Sequence, residues 1–291
     1  MSGNAVPSDE FNALIQPECQ VLLNLVDAGQ TLRGSRHLPD GNSLGMRELE
    51  EEVELRGDWS AEPVRTAHLA SNLFFFVAED AARGLAHSFD GSWTPVFAHV
   101  TLARSALEAC ARARWILEPE IGARRRVGRA LANEMHDFAE RLCFPEEADP
   151  ARAEDLARHR RRIEGARARG LLTEQRPGYT VVIDRLFEEE SAGDEQLGAL
   201  MARWWAGIAH GGFHALRRSL DASAAEVDAV TGTPTVPIIT RDDDVKAVIG
   251  ILSLAYITAL EAQLGLFGWW EDALTDAVAA ALQVARDRFS A

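Results

Sequence analysis

Between Phe11 and Val26 the apolar residues Leu14, Ile15, Val21, Leu22, Leu25 and Val26 recur at helical intervals, with Pro17 able to start or kink the segment. That spacing predicts a first helix. Residues 29–60 lose the rhythm: Gly29, Gly34, Pro39, Gly41 and Gly45 precede the acid-rich run Glu48 to Glu54, and the stretch reads as a long irregular connection. Ser60 then stands as an N-cap ahead of Glu62 and Pro63, and an apolar-rich helix follows through Phe74, Phe75, Phe76 and Val77 to His87. Asp90-Gly91 ends it. Thr94-Pro95 opens the next helix, which passes Leu102, Leu107 and Trp115 until Pro119 stops it, so the two are expected to form an antiparallel hairpin.

The segment from Ile121 to Leu142 is helical by pattern, and Asp149-Pro150 starts another helix that ends near Gly170. After Pro177-Gly178, Val181 to Glu190 forms a short helix, and Asp194 caps the stretch Met201 to Leu220, MARWWAGIAHGGFHALRRSL, which reads as one long helix. Residues 222–240 contain TGTPTVPIIT, whose composition favours an extended loop with at most one short strand. Asp242 to Asp244 place negative charge at the positive end of an apolar helix through Leu264, and Trp270 to Phe289 forms the last. The predicted fold is therefore all-α, a multi-helix bundle of about nine helices. Residues 1–60 supply an N-terminal helix and a connection packed on a bundle domain of residues 61–291. No repeat of 20 to 50 residues is visible, which excludes a solenoid.

Composition refines this picture. A chain of 291 residues is long enough to bury a substantial core. The longest apolar run, Ala247 to Leu260, falls short of the roughly 20 residues that cross a bilayer. The opening MSGNAVPSDE lacks a basic stretch followed by an apolar one. A cytoplasmic protein with no membrane partner is expected. Cys19, Cys110 and Cys143 lie far apart without a CxxC spacing and read as small buried hydrophobes. The net charge of −15 disfavours a general positive field for nucleic acid. It is unevenly spread: Thr101 to Gly170 carries +3 and the remainder −18. Arg158, Arg160, Arg161, Arg162, Arg167 and Arg169 either form a basic face there or pair with neighbouring carboxylates.

Several catalytic patterns fail on context. Gly41-Asn42-Ser43-Leu44-Gly45 fits GxSxG, yet no apolar strand precedes it and no helix is expected to follow at once, so a nucleophilic serine is not supported. No ExxH or HExxH occurs, and neither GxGxxG nor GxxxxGK[ST] is present, so no metal and no nucleotide cofactor is expected. His210 and His214 are spaced i, i+4, but no third zinc ligand is marked.

What remains is arginine placed ahead of histidine on a helix, at Arg129/His136, Arg152/His159 and Arg203/His210. Only the third pair has small residues between its members and two glycines after them, which let a phosphate or another helix approach closely. On a continuous helix Arg203, Gly207, His210 and His214 would share one stripe. Trp204, Trp205 and Phe213 flank it and, with Trp269 and Trp270, are candidates for lining a small-molecule pocket. Arg104 and Glu108, spaced i, i+4 on the preceding Trp115 helix, can form an ion pair.

Arg104 and Glu108 in ARSALEACARARWILEP, the arginine-rich helix after them and then RWWAGIAHGG together resemble uncharacterised bacterial helical proteins related to the HEPN superfamily, over about residues 65–265. That resemblance implies a helical bundle, a homodimer, and metal-independent RNA binding or cleavage. His210 would then handle the ribose 2′-hydroxyl proton, Arg203 would stabilise the phosphorane charge, and Glu108 would orient His210. The sequence departs from the superfamily in carrying Trp204 where a polar residue usually follows the arginine. A non-enzymatic interaction protein with a protein partner is the alternative.

Overall fold

The computed structural model describes residues 8–91, 94–141, 150–188, 197–212, 216–217, 225–227, 234–235 and 240–289. Within them the chain builds ten helices: α1 (Ser8–Ser35), α2 (Leu44–Leu55), α3 (Pro63–His87), α4 (Ala98–Leu117), α5 (Ala123–Arg141), α6 (Pro150–Ala168), α7 (Tyr179–Leu186), α8 (Leu197–Ala209), α9 (Asp242–Phe267) and α10 (Asp272–Phe289). The all-helical bundle is as expected from the pattern. Residues 222–240 contribute a two-residue antiparallel ladder, Glu226 opposite Thr235 and Val227 opposite Pro234, instead of a single strand.

α9 sits at the centre because it is apolar on every side: Val248, Ile249, Leu252, Ala255, Tyr256 and Leu260 are all sealed from solvent. By length and composition it could cross a membrane, but 78% of its most apolar window is buried inside the fold. α3 and α4 form the expected hairpin and pack against α9 with α1, α8 and α10 around them. A smaller second core joins α2, α3, α5 and α6 through Leu55, Val64, Val127, Leu131 and Ala166.

Three expectations need correction. α1 continues past Val26 to Ser35, with Leu32 buried and Gly29 packed so closely on Tyr256 that a Cβ there would lie 2.3 Å from the phenol oxygen. Residues 29–60 are not irregular, since α2 occupies the acid-rich run and turns Gly45, Glu48 and Leu55 inward. Ser60 does not cap α3; it forms a small backbone bridge with Gly57, and Glu62 holds the cap position ahead of Pro63 without a side-chain bond.

Buried charge fastens the layers together. Arg126 of α5 is fully buried and grips Glu48 of α2 with one edge of its guanidinium, Nε at 2.8 Å and Nη2 at 3.0 Å, while also donating to the carbonyls of Ile116, Glu118 and Ile121. His68 of α3 reaches the same carboxylate at 3.2 Å. Burial alone would discourage ionisation of Glu48, but the hydrogen bonds from His68 and Arg126 outweigh it and hold the carboxyl below its usual range. A second set, Arg33, Glu79 and Tyr256, lies inside the main core, with the Tyr256 hydroxyl donating to Glu79 at 2.7 Å.

Candidate functional site

The start and end of α8 both follow from local chemistry. Gly198 lets α8 approach α7, since a Cβ at that position would stand 2.4 Å from the Ile183 carbonyl oxygen. Asp184 of α7 accepts from the Ala199 amide at 3.2 Å and so serves a donor of the first turn. The predicted cap, Asp194, lies outside the described residues. At the other end Gly211 adopts φ 68° and donates to the Ile208 carbonyl at 3.0 Å, while Gly212 donates to Gly207 at 2.6 Å. That pair of bonds closes the helix in the manner a left-handed glycine permits.

The long helix expected from Met201 to Leu220 therefore ends at Ala209, and the stripe is interrupted directly after His210. His214 and Phe213 lie outside the described residues. Arg203 and His210 remain within the helical register. Seven positions apart, they fall on nearly the same side of α8, separated along its axis by about 10 Å. Both are exposed.

Three of the residues singled out in the sequence come together here. Arg104 of α4 points one guanidinium nitrogen, Nη1, at His210 Nε2, 2.9 Å away, and its Nε donates to Glu108 Oε1 at 2.7 Å. Arg104 and Glu108 are mostly covered, at 19% and 18% side-chain exposure, so their attraction is less screened than that of a surface pair. Because a guanidinium only donates, Nε2 is the accepting nitrogen of His210 and the ring proton sits on Nδ1. Glu108 is linked to His210 through Arg104, with no direct contact between them among the described residues. The rest of the Arg104 fork offers donors to an anion arriving from solvent.

The other two arginine–histidine pairs do not form comparable sites. Arg129 is buried, donating to the Trp115 carbonyl and to the carboxylates of Glu118 and Glu174. His159 gives its Nδ1 side to Glu134 at 2.8 Å. The arginines of α6 are partly answered by carboxylates as well, Arg158 by Asp155 at 3.3 Å and Arg162 by Glu134 at 3.5 Å.

The tryptophans do not gather into one pocket. Trp205 is fully buried in the main core, Trp204 packs against that core, and Trp269 is buried with its indole N–H donating to the Leu38 carbonyl. Trp270 stands in solvent. At Ser43 a helix does follow at once, contrary to expectation, and the hydroxyl is occupied as the cap of α2, accepting from the Met46 amide at 3.1 Å. Comparison with known protein families, curated proteins and solved structures finds no match to this chain.

Proposed function

We propose that the chain is an HEPN-like RNA-binding protein whose site is formed by Glu108, Arg104 and His210, with Arg203 two turns away on α8. The observation that supports this most is the 2.9 Å contact between Arg104 and His210, side chains 106 positions apart that present donors and a titratable ring to solvent. Two guanidinium groups and an imidazole on one surface suit a phosphodiester: arginine offers a planar fork to phosphate oxygens, and histidine can exchange a proton near neutrality.

Cleavage follows from the same arrangement if an incoming phosphate takes the Arg104 N–H that Nε2 now accepts. Nε2 then receives the ribose 2′-hydroxyl proton, the 2′-oxygen bonds to phosphorus, and the P–O5′ bond breaks, the leaving oxygen taking a proton from water. Arg203 and Arg104 neutralise the charge that builds on the phosphorane oxygens. The occupied Nε2 lone pair favours a second reading, in which the site holds RNA without cutting it.

Incubation of labelled single-stranded RNA in EDTA separates the two readings. Cyclic-phosphate products that vanish in His210→Ala support cleavage. Binding without products, weakened in Arg104→Ala, supports the holding site, and absence of both removes the proposal.

The same reading includes a homodimer. Leu69, Leu73, Phe76 and Val77 form an outward stripe of α3, each more than half exposed. Antiparallel pairing of two α3 helices would set Arg65 against Asp80 and Glu62 against Arg83 of the second copy, opposite charges at both ends of an apolar seam. Sedimentation of the Leu73→Glu variant tests it: the native chain should run as a dimer and the variant as a monomer.

A further inference from the structure

A cavity of about 230 Å³ opens beside α3, between α2, the segment 36–39 and the end of α9. It is smaller than the roughly 300 Å³ at which small-molecule sites begin, a size that suits one inserted side chain. Leu38, Leu49, Phe267 and Trp269 make its far walls, and Arg65, His68, Leu69 and Asn72 of α3 make the near one. Three of the lining rings follow one another, the Phe267 centroid lying 4.9 Å from that of His68 and 4.8 Å from that of Trp269. Such a wall favours an aromatic occupant, because ring edges and ring faces attract one another.

A candidate occupant is on α3 itself. Arg65, Leu69, Asn72 and Phe76 are spaced i, i+4, i+7 and i+11, so they form one stripe that leans toward the cavity side of the helix. Phe76 is 51% exposed, and its ring meets no other aromatic ring among the described residues. In its own chain it stands about 10 Å beyond Leu69 along the helix, past the cavity. The antiparallel register that sets Arg65 against Asp80 and Glu62 against Arg83 also sets Leu69 against Phe76. A two-fold axis across such a pair leaves each lateral side where it was, so a residue leaning toward the cavity side on one copy overhangs the same side of the other. Phe76 of the second copy therefore stands over Leu69, between Arg65 and Asn72, at the cavity mouth. Arg65 is placed to cover it, since its side chain is 55% exposed and its guanidinium is held at only 3.5 and 3.7 Å by Glu62 and Glu52.

We infer, taking the α3 dimer as premise, that Phe76 of each copy fills this cavity of the other. The two insertions are equivalent by symmetry, so one aromatic residue anchors the seam twice.

Sedimentation equilibrium of the full chain tests the insertion. The native chain should dimerise, and Phe76→Ala should weaken association by at least about tenfold. Leu49→Trp, made on α2 and off the paired helices, should fill the cavity and weaken association by a similar factor. Should that variant lose its helical circular dichroism, Leu38→Trp, on an exposed wall position, serves instead. Leu73→Glu separates the seam from its anchor. A dimer that Leu73→Glu dissociates, but that keeps full affinity in Phe76→Ala or in the folded cavity-filled variant, overturns the insertion and leaves the seam standing. A native chain that stays monomeric at about 100 µM, or a dimer indifferent to Leu73→Glu, overturns both.

Discussion

His99 makes the fold sensitive to mild acid. It lies on α4 at 3% exposure, its ring 5.8 Å from that of Phe89, and its Nδ1 is sealed without a partner. Burial pushes the imidazole down to about 4 from 6.5, opposed only by a hydrogen bond to the Pro95 backbone. The folded state therefore resists protonation while the unfolded chain accepts it. The stabilising difference is fully present above pH 6.5, shrinks as the pH falls, and is gone near pH 4. Each unit of separation is worth 1.36 kcal/mol, so the native state should lose about 2 kcal/mol from this group between pH 7.5 and 5. Urea unfolding at several pH values, on the native protein and on His99→Leu, isolates the effect, because the carboxylates titrate in both and cancel. The native protein should lose about 2 kcal/mol more than the variant over that interval. Parallel stability curves would mean that His99 does not resist protonation in the folded state.

Other consequences follow from the buried charges and close contacts. Arg126→Met should destabilise the protein by about 3–5 kcal/mol in urea unfolding, because Glu48 keeps its charge without its fork, and adding Glu48→Leu should recover much of that loss. Glu48, whose carboxyl is held low in the folded state, contributes stability present above its usual 4.5 and lost as the pH falls through its lower folded value; a Glu48→Gln protein should show a shallower fall in melting temperature below pH 4.5. Gly198→Ala forces a Cβ against the Ile183 carbonyl and should cost about 1–3 kcal/mol, read as a lowered melting temperature.

The helices whose buried face is apolar were legible from spacing alone. α3 and α4 carry that signal, α9 shows instead as an unbroken apolar run, and Pro63, Pro119 and the aspartates at 242–244 mark their ends. α2 was not legible, because its inward stripe includes Glu48, and what makes that residue fit is Arg126, 78 positions away. The last turns of α1 were hidden for a related reason: Gly29 reads as a breaker but is the one side chain small enough to pass Tyr256. The end of α8 was concealed because apolar residues continue beyond it at Phe213 and Leu216, and glycine inside a helical pattern carries only a modest penalty of about 1 kcal/mol. At the site, the i, i+4 pair Arg104 and Glu108 could be read from spacing. The Arg104–His210 contact depends on how α4 and α8 meet, which no local pattern encodes. The cavity beside α3 was missed because Leu38 and Leu49 fall in a stretch that reads as irregular, although Trp269 had been marked for another reason.

The claim that Arg104, His210 and Arg203 present an RNA-binding surface is tested most directly by fluorescence anisotropy of a labelled single-stranded RNA across a salt series. The native protein should bind, and the Arg104→Ala/Arg203→Ala protein should lose at least about tenfold in affinity and show a salt dependence shallower by about 1.4 in log–log slope. Equal affinity and equal slope in the two proteins would contradict it.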